Sequence, residues 1–153
     1  MNFRKTRITV NKVRPEEDEA VSIYCHEVDD DVKEIVSFVK SRQGRLGAKK
    51  DGEMFEISYK DIFYIESVDN RTFIYTASDT FDTGRKLYEL EELMRPNYFL
   101  RISKSSIVNL MKIKSIKPSL NGRFLALLNN GEEITISRKY VSDLKRTLKG
   151  EEE

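Results

Sequence analysis

The sequence predicts a mainly β protein with short helices, of the α+β class, whose strands pair antiparallel. Runs of β-branched and aromatic residues follow one another at short intervals, and turn residues such as Asp69-Asn70 and Asn121-Gly122 separate them. Apolar residues recur at helical spacing in a few short segments only. The chain has 153 residues, 39% of them hydrophobic and 35% charged, which suits one domain with a short extension.

Residues 1–45 are predicted to form an N-terminal β-β-α extension. Residues 7–10 and 21–25 alternate apolar with polar residues on either side of an acidic turn, which is typical of a β-hairpin. Three aspartates at residues 29–31 then precede an apolar stripe at helical spacing, made up of Val32, Ile35, Val36 and Val39. Glycines in residues 41–47 interrupt this spacing, and we place a linker and the domain boundary there, near residue 45.

Residues 46–150 are predicted to form the larger, β-rich domain. A helix is expected at residues 85–94, before Pro96, and a second one over Val141, Leu144 and Leu148. The remaining apolar runs are predicted strands, at residues 54–59, 62–68, 72–76, 80–83, 99–103, 113–116, 123–128 and 132–137. Asn121-Gly122 and Asn129-Asn130-Gly131 predict two tight turns, so the last strands should form a meander.

The net charge of +1 conceals a strong separation of charge along the chain. Residues 51–100 carry a net charge of −6, whereas residues 101–150 contain 11 basic and 3 acidic residues, a net +8. A shared basic face would attract a polyanion despite the neutral total. Alternatively, Lys112, Lys114 and Lys117 simply alternate with isoleucines on the solvated face of a strand. Charge by itself leaves both interpretations open.

Composition argues against several classes of protein. With one cysteine and one histidine, the chain lacks the residues for a disulfide framework or a Cys/His zinc site. Cys25 and His26 are neighbours on a predicted strand and should face opposite sides, which places Cys25 in the core and disfavours a thiolate-imidazole pair. We therefore predict no enzyme activity and no cofactor. The sequence shows neither a signal peptide nor a membrane span, which predicts a cytoplasmic protein.

Polar and basic residues cluster where predicted strands meet loops. Each cluster pairs a cation or amide with hydroxyl groups, and such side chains bond phosphates or base edges in DNA complexes. Taken singly, each cluster is better explained as a solvated turn. There are three of them: Asn70, Arg71 and Thr72; Ser103, Lys104 and Ser105; and Ser137, Arg138 and Lys139.

Residues 99–109, with the sequence FLRISKSSIVN, and the isoleucines at 113 and 116 resemble the central motif of LytTR DNA-binding domains. Residues 62–66 and 87–93 resemble the early strand and helix of that family. Asn130-Gly131, residues 134–137 and Val141 resemble its closing segment. The resemblance covers roughly residues 46–148, and several ordered blocks are more specific than one short motif.

The resemblance implies an antiparallel β-fold that presents loops to successive major grooves of double-stranded DNA, with two copies on one repeated site. By position, Arg71 or Thr72 lies in the first contact loop, Lys104 in the second, and Lys139 with Arg138 in the third. Ser103 departs from the family pattern, because many relatives have histidine there. The implied function is sequence-specific transcription regulation; the alternatives are a protein-interaction module that uses the basic face, and RNA binding.

The N-terminal 45 residues are too few for the doubly wound receiver domain that many relatives carry, so the chain resembles stand-alone LytTR regulators. That resemblance implies control by a separate regulatory protein, for example a membrane-bound one, or by abundance. The apolar helix stripe is expected to pack on the β-domain or to join two chains in a homodimer, which we slightly favour.

Overall fold

The computed structural model describes residues 1–150 and contains two compact units, residues 1–39 and the chain from Lys40 onward. Helix α1, Asp30–Arg42, crosses the boundary between them. The Oδ1 atom of Asp29 accepts a hydrogen bond from the Val32 N–H at 3.0 Å and caps this helix, as the three aspartates predicted. Among residues 1–150, no helix is long and apolar enough to cross a membrane.

The prediction of a β-hairpin in the first unit is wrong. Its turn forms, since the Glu17 N–H donates to the Arg14 carbonyl at 2.9 Å, but neither residues 7–10 nor residues 21–25 form a strand. From residue 2 to residue 28 every side chain except Ile23 is exposed, so no other element packs against either of these two segments. A two-stranded ribbon without such packing is marginal in water. Cys25 is therefore exposed, contrary to its predicted place in the core.

The second unit consists of ten antiparallel strands and two short helices, which confirms the predicted fold class. Seven strands form one sheet, in the spatial order β2-β1-β5-β4-β3-β7-β6, and three form another, in the order β10-β9-β8. The elements are β1 Arg45–Lys50, β2 Glu53–Ser58, β3 Ile62–Val68, β4 Arg71–Thr76, β5 Thr80–Asp82, α2 Leu87–Met94, β6 Phe99–Ser103, β7 Ser106–Asn109, β8 Ile113–Pro118, β9 Phe124–Leu128, β10 Glu133–Ile136 and α3 Val141–Leu148.

The sequence prediction missed strand β1, because its first residues, 45–47, fall in the segment 41–47, whose glycines and arginines predicted a linker. Leu46 and Ala48 are nevertheless buried, and the strand pairs along its whole length with β2, from Arg45 opposite Ser58 to Lys50 opposite Glu53. Strand β7 was missed as well, within the central motif. The segment expected to be a linker is thus an inner strand of the larger sheet.

Strands β6 and β7 contribute to two hydrophobic cores on opposite faces of the larger sheet. Phe99 and Ile107 pack in a core that includes Leu90 and Met94 of α2. The alternate residues of the same strands pack in a second core with the smaller sheet and α3, whose members include Leu100, Ile102, Val108, Ala126, Leu128, Ile136 and Leu144. The alternation of side chains along a strand therefore places this hairpin between both cores.

Asn109 is the buried polar residue at the end of this hairpin. Its Nδ2 atom donates to the carbonyl oxygens of Ile62 at 2.8 Å and Tyr59 at 3.3 Å, and its Oδ1 atom accepts the Met111 N–H at 3.0 Å. These contacts join β7 to the start of β3. Replacing the amide would leave buried carbonyl groups without their partner.

We predict that Asn109→Ala lowers the free energy of unfolding by about 2–4 kcal/mol, because three hydrogen bonds are lost and their buried partners stay desolvated. Urea denaturation followed by circular dichroism measures the change. Asn97→Ala is the matched control, since the Asn97 side chain makes no hydrogen bond within residues 1–150. Equal stability of the two variants would contradict the role given to Asn109.

Candidate nucleic-acid interface

The first two predicted contact loops lie side by side at the ends of neighbouring strands of the larger sheet. Strand β3 pairs with β4, where Val68 lies opposite Arg71, and also with β7, where Glu66 lies opposite Ser106. The Ser67 N–H donates to the Ser105 carbonyl at 2.8 Å and links the end of β3 to the β6–β7 turn. Sheet register therefore fixes the spacing of these two loops.

The third predicted loop lies next to the end of strand β6. The Ser137 N–H donates to the Ile102 carbonyl at 2.8 Å, and the single helical turn Arg138–Tyr140 follows. Because Ile102 directly precedes Ser103, the three loops meet at one end of the second unit. We call this end the contact surface; its exposed or half-buried members from the sequence prediction are Asn70, Arg71, Ser103, Lys104, Ser105, Ser137, Arg138 and Lys139.

In the first loop, Asn70 has a structural role in the turn and Arg71 is held in place. Asp69 and Asn70 have φ angles of 50° and 64°, the left-handed conformation that a two-residue hairpin turn needs. The Arg71 Nη2 atom lies 2.6 Å from Asp82 Oδ2, and its guanidinium carbon lies 5.1 Å from the centre of the Phe73 ring. The hydrogen bond from Arg71 lowers the pKa of the Asp82 carboxyl, which stays ionised as its partner.

Thr72 does not belong to the contact surface. Its side chain is 4% exposed, and its carbonyl oxygen accepts the Thr83 N–H at 2.9 Å within the sheet. Successive strand residues face opposite sides, so an exposed Arg71 turns Thr72 inward. A buried side chain cannot reach a base edge, so of these two residues only Arg71 is exposed at this strand end.

In the second loop, Arg101 braces the turn that presents Lys104. Its Nε atom donates to the Ser103 carbonyl at 2.8 Å, its Nη2 atom donates to the Lys104 carbonyl, and its Nη1 atom lies 2.7 Å from Glu91 Oε1 on α2. The sequence prediction overlooked Arg101. A signal was present, since an arginine alternates there with the apolar residues of a strand buried on both faces.

In the third loop, Arg138 and Lys139 line a cavity of about 550 Å³ together with Ser137, Asn121 and Arg123. Gly122 allows this close approach, since a Cβ atom there would lie 2.9 Å from the Arg138 Cδ atom. Asn121 and Gly122 have φ angles of 59° and 74°, as the predicted Asn-Gly turn requires. Asn121 and Arg123 are thus further members of the contact surface that the sequence prediction missed.

The groove beside these loops has a lining of mixed charge. Tyr64, Glu66, Glu132 and Glu133 belong to the lining of a cavity of about 450 Å³, which also includes Arg123 of the contact surface. Burial, with the hydrogen bond and charge of Glu132, raises the pKa of the Tyr64 phenol far above its ordinary value. The carboxylates weaken the attraction of this groove for a polyanion relative to the contact surface, whose named members include cations and no carboxylate.

The basic C-terminal block is divided among the contact surface, strand β8 with Lys112 before it, and helix α3 with Lys145 and Arg146. The Lys112 ammonium lies 4.9 Å from the centre of the Phe63 ring, and Lys114 and Lys117 are exposed on the edge strand β8. These lysines fit the alternative of a solvated strand face, where charge protects an edge from pairing. The cations on the contact surface are a separate group.

Comparison with known proteins gives consistent results. The LytTr DNA-binding domain model matches residues 52–149. The sensory transduction protein LytT of Bacillus anthracis is 29% identical over 111 residues, which are 72% of this chain and 45% of that protein. The transcriptional regulatory protein LytR of Staphylococcus aureus N315 is 26% identical over 103 residues, 67% of this chain and 42% of that protein. The chain thus spans less than half the length of these relatives.

A solved structure of a LytTr DNA-binding domain from Bacillus cereus is similar to this chain, with a TM-score of 0.65 and 28% identity over 69% of this chain and 96% of that one. The family match includes all three loops of the contact surface. It shows that the chain contains a DNA-binding domain, as the resemblance implied, of a family whose members are DNA-binding regulators and not enzymes. From sequence and fold together, the chain belongs to the LytTR family of DNA-binding domains.

Proposed function

We propose that this protein is a sequence-specific transcription regulator that reads repeated sites in double-stranded DNA through its loops. The observation that carries the proposal is the convergence of three loops, each with an exposed cation, at one end of the second unit. The cations are Arg71, Lys104, and Arg138 with Lys139.

The loops differ in what they offer to DNA. Lys104 stands on a two-residue turn as a compact point charge, which suits a phosphate oxygen. Arg138 and Lys139 sit beside the amide of Asn121, and this mixture of donors and an acceptor suits base edges in a major groove. Arg71 is already paired with Asp82, so it approaches DNA with its guanidinium oriented.

The regulator would act in the cytoplasm, with two copies on one repeated site and a homodimer as the DNA-bound form. One contact surface of three loops gives few base contacts, and a second copy doubles them. Two linked copies also gain effective concentration at the second half-site. A separate regulatory protein, for example a membrane-bound one, would supply the input signal.

Selection of bound sequences from random DNA duplexes tests the proposed function directly. We expect enrichment of a repeated motif, and binding of that motif at about 150 mM salt at least 10³-fold tighter than random duplex. Single-stranded RNA and heparin, titrated under the same salt conditions, report the shared electrostatic attraction. If all three polyanions bind alike and no motif is enriched, a protein-interaction role for the basic face is the better account.

We predict that Lys104→Ala weakens binding to the selected motif and to random duplex by similar factors, because a phosphate contact carries no sequence information. The slope of log affinity against log salt should fall in magnitude by about one. Lys60→Ala is the matched control. Lys60 is also exposed but lies just before β3, about 20 Å from the contact surface at the other end of that strand. An unchanged salt slope in Lys104→Ala would remove that residue from the interface.

For Lys139→Ala we predict a different outcome, a loss of about 1–3 kcal/mol for the selected motif with relaxed preference at one base position. Random duplex should lose much less affinity. Repeating the selection with the variant measures the change in preference at each position. A uniform loss at all positions would make Lys139 a phosphate contact.

We also predict that Glu91→Gln reduces the ratio of motif affinity to random-duplex affinity about threefold to tenfold, because Arg101 loses the charged partner that orients it. The substitution removes a negative charge, so electrostatics alone would strengthen binding of both duplexes. Glu92→Gln is the control, since Glu92 is an exposed neighbour on the same helix and makes no ion pair within residues 1–150. If both variants bind both duplexes more tightly and to the same degree, Arg101 does not position the loop.

A further inference from the structure

The first unit contains two segments of opposite charge that the DNA-binding function does not use. Residues 4–14, the basic arm, contain five cations and no carboxylate. Residues 15–31, the acidic arm, contain eight carboxylates and no lysine or arginine. Their turn closes at residues 14–17, where the Glu17 N–H donates to the Arg14 carbonyl. We propose that two copies of this chain associate through these arms, the basic arm of each pairing with the acidic arm of the other.

The backbone of both arms is open to such pairing. Within residues 1–150, the main chain of residues 7–13 and 18–28 makes no hydrogen bond to another part of the protein. Exposed N–H and C=O groups in a row are a template for strand addition by another chain. Pairing with a partner would satisfy them in the same way as the hairpin that the sequence predicts.

The side chains of the arms are also those of an interface. Ile8 is 91% exposed, Val10 87% and Tyr24 93%, although such residues favour half-buried strands. A layer laid over these alternating apolar residues would remove them from water, which is favourable. The arms thus combine an unpaired backbone, uncovered apolar side chains and opposite charges.

Self-complementarity identifies the partner as a second copy. In a twofold interface, residue i of one chain meets residue j of the other, and j meets i. A chain with one basic and one acidic arm therefore matches itself twice. Within one copy, ion pairs join the two ends of the segment that contains both arms, where the Met1 amino group contacts Asp29, and its turn, where Arg14 contacts Glu17. The central cations Arg7 and Lys12 have no carboxylate partner within residues 1–150.

Charge reversal in the full chain tests this pairing. One variant carries Arg7→Glu and Lys12→Glu, which makes both arms negative in their central stretches. The other carries Asp18→Lys, Glu19→Lys and Glu27→Lys, which makes both positive. We expect the parent protein to be dimeric at about 50 μM and low salt, and each variant to self-associate about tenfold more weakly or worse. An equimolar mixture of the two variants should regain association as a heterodimer, visible by native mass spectrometry.

The parent protein separates pairing between chains from pairing within a chain. If each chain paired its own arms, the parent protein would be monomeric at this concentration, even though the two oppositely charged variants would attract one another in the mixture. Lys60→Glu with Glu92→Lys, a reversal on exposed residues of the second unit, is the control and should leave association unchanged. A monomeric parent protein, or a mixture without heterodimer, overturns the proposal.

The inference deepens the two-copy binding proposed above, but its test is made without DNA. Both variants should still prefer a single half-site over random duplex, because their substitutions lie outside the contact surface; the altered net charge shifts the affinity for both duplexes together. Loss of association with intact half-site preference therefore implicates the arms alone. Failure of the parent protein to select any DNA motif would count against the proposed function and leave the arm proposal standing.

Discussion

The arrangement of the second unit depends on one constraint, the burial of the β6–β7 hairpin on both of its faces. Because alternate residues of the hairpin enter different cores, it cannot shift by one residue without exchanging the two sets. Asn109 fixes one end of the hairpin through its bonds to the carbonyl groups of Tyr59 and Ile62. The other end is the turn that presents Lys104, so the position of this loop is set by packing far from it.

The same constraint explains how the long, flexible lysine and arginine side chains of the loops obtain a defined position. Arg101 lies on the α2 side of the hairpin, where Glu91 holds it and its remaining donors reach back to the turn. The neighbouring loops are attached to this hairpin by single backbone hydrogen bonds, from Ser67 to Ser105 and from Ser137 to Ile102. Loops built on strand ends are therefore tied directly to the sheet beneath them.

Sequence reasoning succeeded where local chemistry decides the structure and failed where a distant partner does. The period of two, the Asn-Gly turns and the aspartate cap gave most strands, turns and helices because each signal acts within a few residues. Strand β1 was missed because its pairing with β2 and β5 is invisible in its composition. The hairpin prediction in the first unit was wrong for the converse reason. Apolar and polar residues alternate there as in a strand, but no other element packs against them to bury the apolar ones. Thr72 was wrongly predicted to contact DNA, and Arg101 was overlooked. In both cases the side of the sheet that a strand residue faces, and not its residue type, determines what its side chain contacts.

The near-neutral net charge of the chain is the result of distinct regions that suit different partners. The +8 of residues 101–150 would be opposed by the eight carboxylates of the acidic arm if that arm stayed unneutralised near DNA. Pairing with the basic arm of a second copy places five cations beside these eight carboxylates and offsets part of this repulsion. Association of two copies would therefore favour DNA binding twice, by joining two contact surfaces and by neutralising the charge that competes with phosphate.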